Sequence, residues 1–119
     1  MKKESVIKNK SFCFAIRIVK LYQYLTNDKK EYVLSKQLLR SGTSVGAMIY
    51  EAEYAESTPD FIHKLNIAQK ETNETLYWLE LLKETDYLSE TEFNSINTDA
   101  VEVIKLITSI IKTTKEKRK

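Results

Sequence analysis

Few residues in this 119-residue chain could do chemistry, and each has a plainer use beside the sharper one. The one histidine, His63, follows Asp60 by three residues. On a helix that spacing puts a carboxylate and an imidazole on one face, half of what a carboxylate-bridged di-iron site requires. The other half needs a second histidine, so His63 is expected at a surface or an interface. Cys13 has no second thiol to pair with and no obvious activating neighbour, and is expected to be a bystander. Glu71 and Glu74 line one helix edge. As a catalytic pair they would need a cleft and a raised pKa; the expected role is structural, anchoring Arg40 or another basic residue. Residues 41–46 read S-G-T-S-V-G but lack the following Gly-Lys-Ser/Thr and the preceding strand of a phosphate loop. Tyr22, Tyr24, Tyr50, Tyr54 and Trp78 could stack on bases, yet at helical spacing they are expected to pack. No catalytic, cofactor or metal residue is assigned, and an enzyme is not expected.

Charge is the remaining chemical signal. Residues 51–92 hold eleven Asp/Glu and three Lys, a net of −8, while the remainder carries +10, giving +2 for the chain. The ends are lysine-rich: Lys2, Lys3, Lys8 and Lys10 at one, Lys112, Lys115, Lys117, Arg118 and Lys119 at the other. Short basic runs contact phosphates, and an oligomer multiplies such contacts. Nucleic-acid or ribonucleoprotein binding by these nine residues is therefore the leading expectation. The alternative is a protein-interaction scaffold or accessory subunit without nucleic-acid affinity, using the Tyr50/Tyr54 or Trp78 surface. In an antiparallel bundle both basic ends would lie beside Glu51, Glu53, Glu56 and Asp60, so internal charge balance is a third use for them.

The elements that must position these groups are helical. One proline and two glycines are too few for a chain that turns every ten residues, and apolar positions recur at three- and four-residue steps. Helices are predicted over roughly 11–26, 31–56, 59–85 and 90–113, joined by short links, which makes an all-α, up-down-up-down antiparallel four-helix bundle in one domain, 1–119. Asn27 or Asp28 is expected to cap the second helix, Ser57-Thr58-Pro59-Asp60 starts the third, and Ser89 with Glu92 has capping-box spacing. The third helix should turn Phe61, Leu65, Ala68, Thr72, Leu76, Leu79 and Leu82 inward. The final K-E-K-R-K should be a mobile tail. Nothing approaches the ~20 apolar residues that span a bilayer. The lone cysteine and the lack of a visible signal peptide place the expectation in the cytoplasm, with no membrane partner.

Two helices carry more than a routine pattern. In the second, Leu34, Leu38, Ser41, Val45, Ile49 and Ala52 share a face that also bears Gly42 and Gly46. Each glycine costs a helix interior roughly 0.8–1 kcal/mol relative to alanine, so a close helix crossing is expected there. In the first, Phe12, Ala15, Ile16, Val19 and Tyr22 form one stripe and Phe14, Ile18, Leu21 and Leu25 a second. Together they span roughly 220° of the wheel, against about 100° for a surface helix. One bundle cannot hide both, so self-association is expected through the second stripe (Phe14, Ile18, Leu21) with Leu39, Tyr50, Tyr54 and Trp78.

Three blocks of sequence carry a resemblance. Residues 40–52 (R-S-G-T-S-V-G-A-M-I-Y-E-A), 60–68 (D-F-I-H-K-L-N-I-A) and 70–82 (K-E-T-N-E-T-L-Y-W-L-E-L-L) resemble, in order and spacing, the bacterial four helix bundle protein family. Its members are also called S23 ribosomal proteins or 23S rRNA intervening-sequence proteins. The resemblance implies a homo-oligomeric bundle, expected as a pentamer. It is similar to the accessory variability protein of diversity-generating retroelements, a five-membered barrel that binds nucleic acid and a reverse transcriptase. RNA or DNA, or a protein partner, is the implied ligand. Arg40, Ser41, Ser44, Ile49, Glu51, Phe61, Ala68, Glu74 and Leu79 sit where the family pattern is most recognisable, and none is implied to be catalytic. Met48 departs from it, standing where many relatives carry asparagine.

Overall fold

The computed structural model describes residues 3–118, with side chains from 6 to 117. They form four helices: α1 (Lys3–Asn27), α2 (Leu34–Glu53), α3 (Thr58–Glu84) and α4 (Glu90–Arg118). No strand occurs among the described residues. Cross-helix contacts set the directions. Lys8 of α1 meets Glu53 of α2, while Ile18 lies against Gly42. Glu51 of α2 meets Lys64 of α3, while Ser41 meets Thr75. Gln69 of α3 bonds Thr108 of α4, while Lys83 lies over the Phe93 ring. Lys10 of α1 reaches Glu102 of α4, and Arg17 reaches Asp99. Along each pair one number rises as the other falls, so every neighbouring pair is antiparallel and α4 closes the square back onto α1. The bundle measures 49 × 22 × 22 Å.

The helix starts follow their caps. At α3, Ser57 is extended and its Oγ accepts from the Asp60 N–H at 3.2 Å, with Pro59 in the first turn. At α4 the expected capping box is reciprocal: the Ser89 N–H donates to Glu92 Oε1 (2.8 Å) and the Glu92 N–H to Ser89 Oγ (3.1 Å). At α2 the expected cap is corrected. Neither Asn27 nor Asp28 caps it; the buried Glu31 carboxylate accepts the N–H groups of Val33 (3.1 Å), Leu34 (2.9 Å) and Ser35 (2.6 Å). Burial alone raises the Glu31 pKa, but these three donors outweigh it and hold the carboxyl below its ordinary value. The helix accordingly starts after Glu31 and ends before Glu56, shorter than 31–56. Two other bounds move outward. α1 starts near Lys3 because Ile7 continues its buried stripe, and α4 runs through the expected mobile tail to Arg118, anchored by buried Ile110 and Ile111.

The expected close crossing is where Gly42 and Gly46 lie. A Cβ on Gly42 would stand 2.8 Å from two carbons of Ile18, whose side chain is fully buried. A Cβ on Gly46 would stand 3.3 Å from the Ser11 carbonyl oxygen. Both glycines therefore serve packing, and the left-handed positions in the links fall to other residues, Lys30 (φ 58°) and Asp86 (φ 69°). Asp86 ends α3 in a Schellman arrangement, with Tyr87 N–H on the Leu82 carbonyl and Asp86 N–H on that of Lys83. Across the core, the inward face of α3 corrects the prediction at two places: Ile62 and Thr75 are buried, while Phe61 and Leu76 are half-buried. Thr75 turns in because its hydroxyl reaches Ser41 of α2 at 2.9 Å. No buried side-chain nitrogen or oxygen lacks a hydrogen-bond partner among the described residues.

Candidate interaction surfaces

The two sides of α1 meet opposite surroundings. Its inner stripe, Ile7, Ser11, Phe14, Ile18, Leu21 and Leu25, alternates four- and three-residue steps and faces α2 and α4. Phe14 is 1% exposed and Ile18 0%. The expected interface through Phe14, Ile18 and Leu21 is thus corrected: Phe14 and Ile18 are consumed inside one chain, and Leu21 is half-buried against the same core. The reason is Gly42, whose missing side chain is the only place wide enough for Ile18. Leu39 and Trp78 are likewise half-buried and packed on the core.

The stripe left outside is Phe12, Ile16 and Val19, with Phe12 66% exposed. Beside it on α2 stand Tyr50 and Tyr54, the latter 68% exposed, their ring centroids 5.5 Å apart. Between the helices a groove of about 600 Å³ has Gly46 and Ala47 for a floor and Phe12 and Tyr50 for walls. Sequence reasoning had both stripes and chose the wrong one to send outward. A usable signal existed: the four-three alternation of the inner stripe continues back to Ile7, which the later helix start discarded.

The basic groups divide into compensated and free. Lys8 sits 2.8 Å from Glu53, and that hydrogen-bonded partner raises its pKa. Lys10 lies 3.4 Å from Glu102. Lys112, Lys115 and Lys117 are exposed on the last turns of α4, and no ion pair involves them among the described residues. Lys2 and Lys119, with the side chains of Lys3 and Arg118, lie outside the described residues. The acidic side of this pole is itself engaged. Glu51 pairs with Lys64 at 3.2 Å, and Asp60 accepts from the Glu56 N–H at 3.1 Å.

The remaining sequence candidates are scattered. Arg40 is exposed and bonds neither Glu71 nor Glu74, which corrects the expected polar pair. Glu74 instead accepts from Trp78 Nε1 at 3.1 Å, one helical turn away, and Glu71 is engaged through its carbonyl by the Thr75 hydroxyl. Cys13 and His63 are exposed on different helices. Met48 is half-buried and packs on the core. Among the described residues no three of His, Cys, Asp or Glu cluster as metal ligands, and no helix is long and apolar enough to cross a membrane. At the pole shared by the starts of α1 and α3 lies a second recess, about 450 Å³, lined by Ile7, Ile49, Phe61, Leu65 and Ile110. It is open and mostly apolar, with the Lys8–Glu53 pair on its rim.

Comparison with known proteins agrees with this architecture. The model for 23S rRNA-intervening sequence proteins matches residues 3–109. A crystal structure from Bacteroides thetaiotaomicron VPI-5482, described as a protein of unknown function from the S23 ribosomal protein family, superposes with a TM-score of 0.92. It is 59% identical, and the match covers 93% of this chain and 99% of that one. A comparison with curated proteins gave no match.

Proposed function

The chain belongs to the 23S rRNA-intervening sequence protein family, and from that premise we propose that it is a non-enzymatic, self-associating cytoplasmic bundle that binds nucleic acid. The observation carrying the binding half is the contrast among its lysines. Lys112, Lys115 and Lys117 project from the end of α4 without a carboxylate partner among the described residues, whereas Lys8 and Lys10 each have one. Free ammonium groups on a helix end displace counterions from a phosphate backbone, and each added subunit repeats the set. A pentamer, the assembly implied by the family resemblance, would present five such ends. The rRNA in the family's name makes structured RNA the first ligand to try.

Fluorescence anisotropy with labelled RNA and DNA across a salt series tests this. Binding should weaken steeply between low and physiological salt, as roughly one counterion per contacted phosphate is released. Lys112→Glu, Lys115→Glu and Lys117→Glu combined should abolish it and leave the fold intact. No affinity at low salt, or affinity indifferent to salt, would end this reading.

A second reading, a protein scaffold without nucleic-acid affinity, has its own support in the exposed Tyr50 and Tyr54 rings. Partners recovered in a pull-down that nuclease leaves unchanged would favour it.

A further inference from the structure

We propose that copies of this chain associate head to tail, the apolar α1–α2 face of one receiving the outward ridge of α3 around Tyr77 of the next. This rests on the self-association read above and adds which two surfaces meet. Area comes first. A ring side chain buries about 150–250 Å² when covered, and Phe12, Tyr50 and Tyr54 each keep more than half of theirs open. With Ile16 and Val19 beside them, the patch is of the order of 400–500 Å². A stable interface takes about 800 Å² from each partner, apolar at its centre and polar around it. The patch has the size of such a centre.

Charge then decides between two ways of covering it. Residues 1–50 hold ten Lys/Arg against three Asp/Glu, and exposed Lys20, Lys36 and Arg40 flank the face with no ion pair among the described residues. Setting the face against its own copy would oppose those cations to each other, which disfavours the contact. The complement lies on α3. Tyr77, 58% exposed, is the one large apolar side chain standing out on α3 or α4 among the described residues. It rests edge-on against Trp78 at 5.0 Å, which stiffens it as an inserting ring. Glu74, Glu80 and Glu84 are exposed along the same helix, in the stretch of net charge −8. A ring to insert and carboxylates to meet Lys20, Lys36 and Arg40 are thus on one ridge. Contacts between two unlike surfaces repeat in one sense, so copies close into a ring or continue as a filament.

Light scattering after size exclusion tests this with two variants whose altered residues are exposed. One loses the face (Phe12→Ser with Tyr50→Ser) and one loses the ridge (Tyr77→Ser with Glu74→Lys); circular dichroism checks that both fold. The wild type should show a multiple of 13.9 kDa. Each variant alone should fall to a single-chain mass. Mixed in equal amounts they should form a two-chain species and stop there, since only one intact face meets one intact ridge. A wild-type mass of one chain would overturn both this proposal and the self-association beneath it. An oligomeric wild type with the ridge variant unchanged in mass, or a mixture that stays at one chain, would overturn the head-to-tail contact and leave self-association standing.

Discussion

The inner and outer stripes of α1 are built from the same residue types and end in opposite surroundings. Phe14 and Ile18 vanish into the core, while Phe12 and Ile16, two residues before each, stand in the open. Hydrophobicity does not separate them. The partner helix does: Gly42 leaves a hollow that only Ile18 enters, and Gly46 lets the backbone at Ser11 come close. The width of an apolar surface on a helix says how much must be covered. Which part is covered from within is set by where the neighbour lacks side chains.

That contrast can be broken most forcefully at the two phenylalanines. Phe14→Ala should lower the free energy of unfolding by about 3–5 kcal/mol, as truncation of a buried ring does. Phe12→Ala, measured by urea denaturation at a dilution that keeps chains apart, should stay within about 0.5 kcal/mol of wild type. Equal losses would erase the distinction between the stripes.

The glycines sharpen it. Gly42→Ala places a methyl against a β-branched side chain with no room to retreat, and overpacking of that kind costs about 1–3 kcal/mol. The gain in helix propensity, about 1 kcal/mol, offsets part of this, so a net loss of up to about 2 kcal/mol is expected. Ile18→Ala should cost less in the Gly42→Ala background than in the wild type, because the methyl then fills space the isoleucine left. At Gly46 the neighbour is a backbone oxygen at 3.3 Å that must give by only a few tenths of an ångström. Gly46→Ala should therefore remain within about 1 kcal/mol of wild type, the propensity gain and the displacement opposing each other.

Glu31 closes the inner stripe at its far end, since its N–H donates to the carbonyl of buried Leu25 while its carboxylate caps α2. Glu31→Ala should cost about 1–2 kcal/mol, the loss of a helix cap. Its pH dependence has a fixed sign. The folded-state pKa lies below the ordinary value of 4.5, so the unfolded chain takes up the proton first and the stabilisation is complete above that value. It is lost as pH falls through the folded pKa. Glu31→Gln should flatten the acid limb of a stability–pH curve, and an unchanged limb would assign that sensitivity elsewhere.

The bundle, its order of helices and two of its caps were legible because Ser57, Pro59, Ser89 and Glu92 act locally, through atoms within a turn of themselves. The α2 cap was not, because a glutamate before a helix ordinarily signals little and becomes a cap only when the chain folds it inward. Helix ends were misjudged where one apolar residue, Ile7 or Ile110, decided whether another turn was anchored. The Arg40 pairing failed for a different reason: three helix-borne charges can be assigned faces from spacing, but not the rotations that would bring those faces together. Thr75 was missed because a hydroxyl's destination depends on what the opposite helix supplies.

That last residue has a consequence of its own. Ser41 and Thr75 meet 2.9 Å apart between helices whose other contacts are mostly aliphatic and indifferent to a small slip. Sliding α2 along α3 by one turn would keep much of the oily contact and separate the two hydroxyls. The pair thus works as an alignment mark, chosen less for strength than for rejecting near-misses, and a Ser41→Ala/Thr75→Val chain should hold together while sampling more than one register.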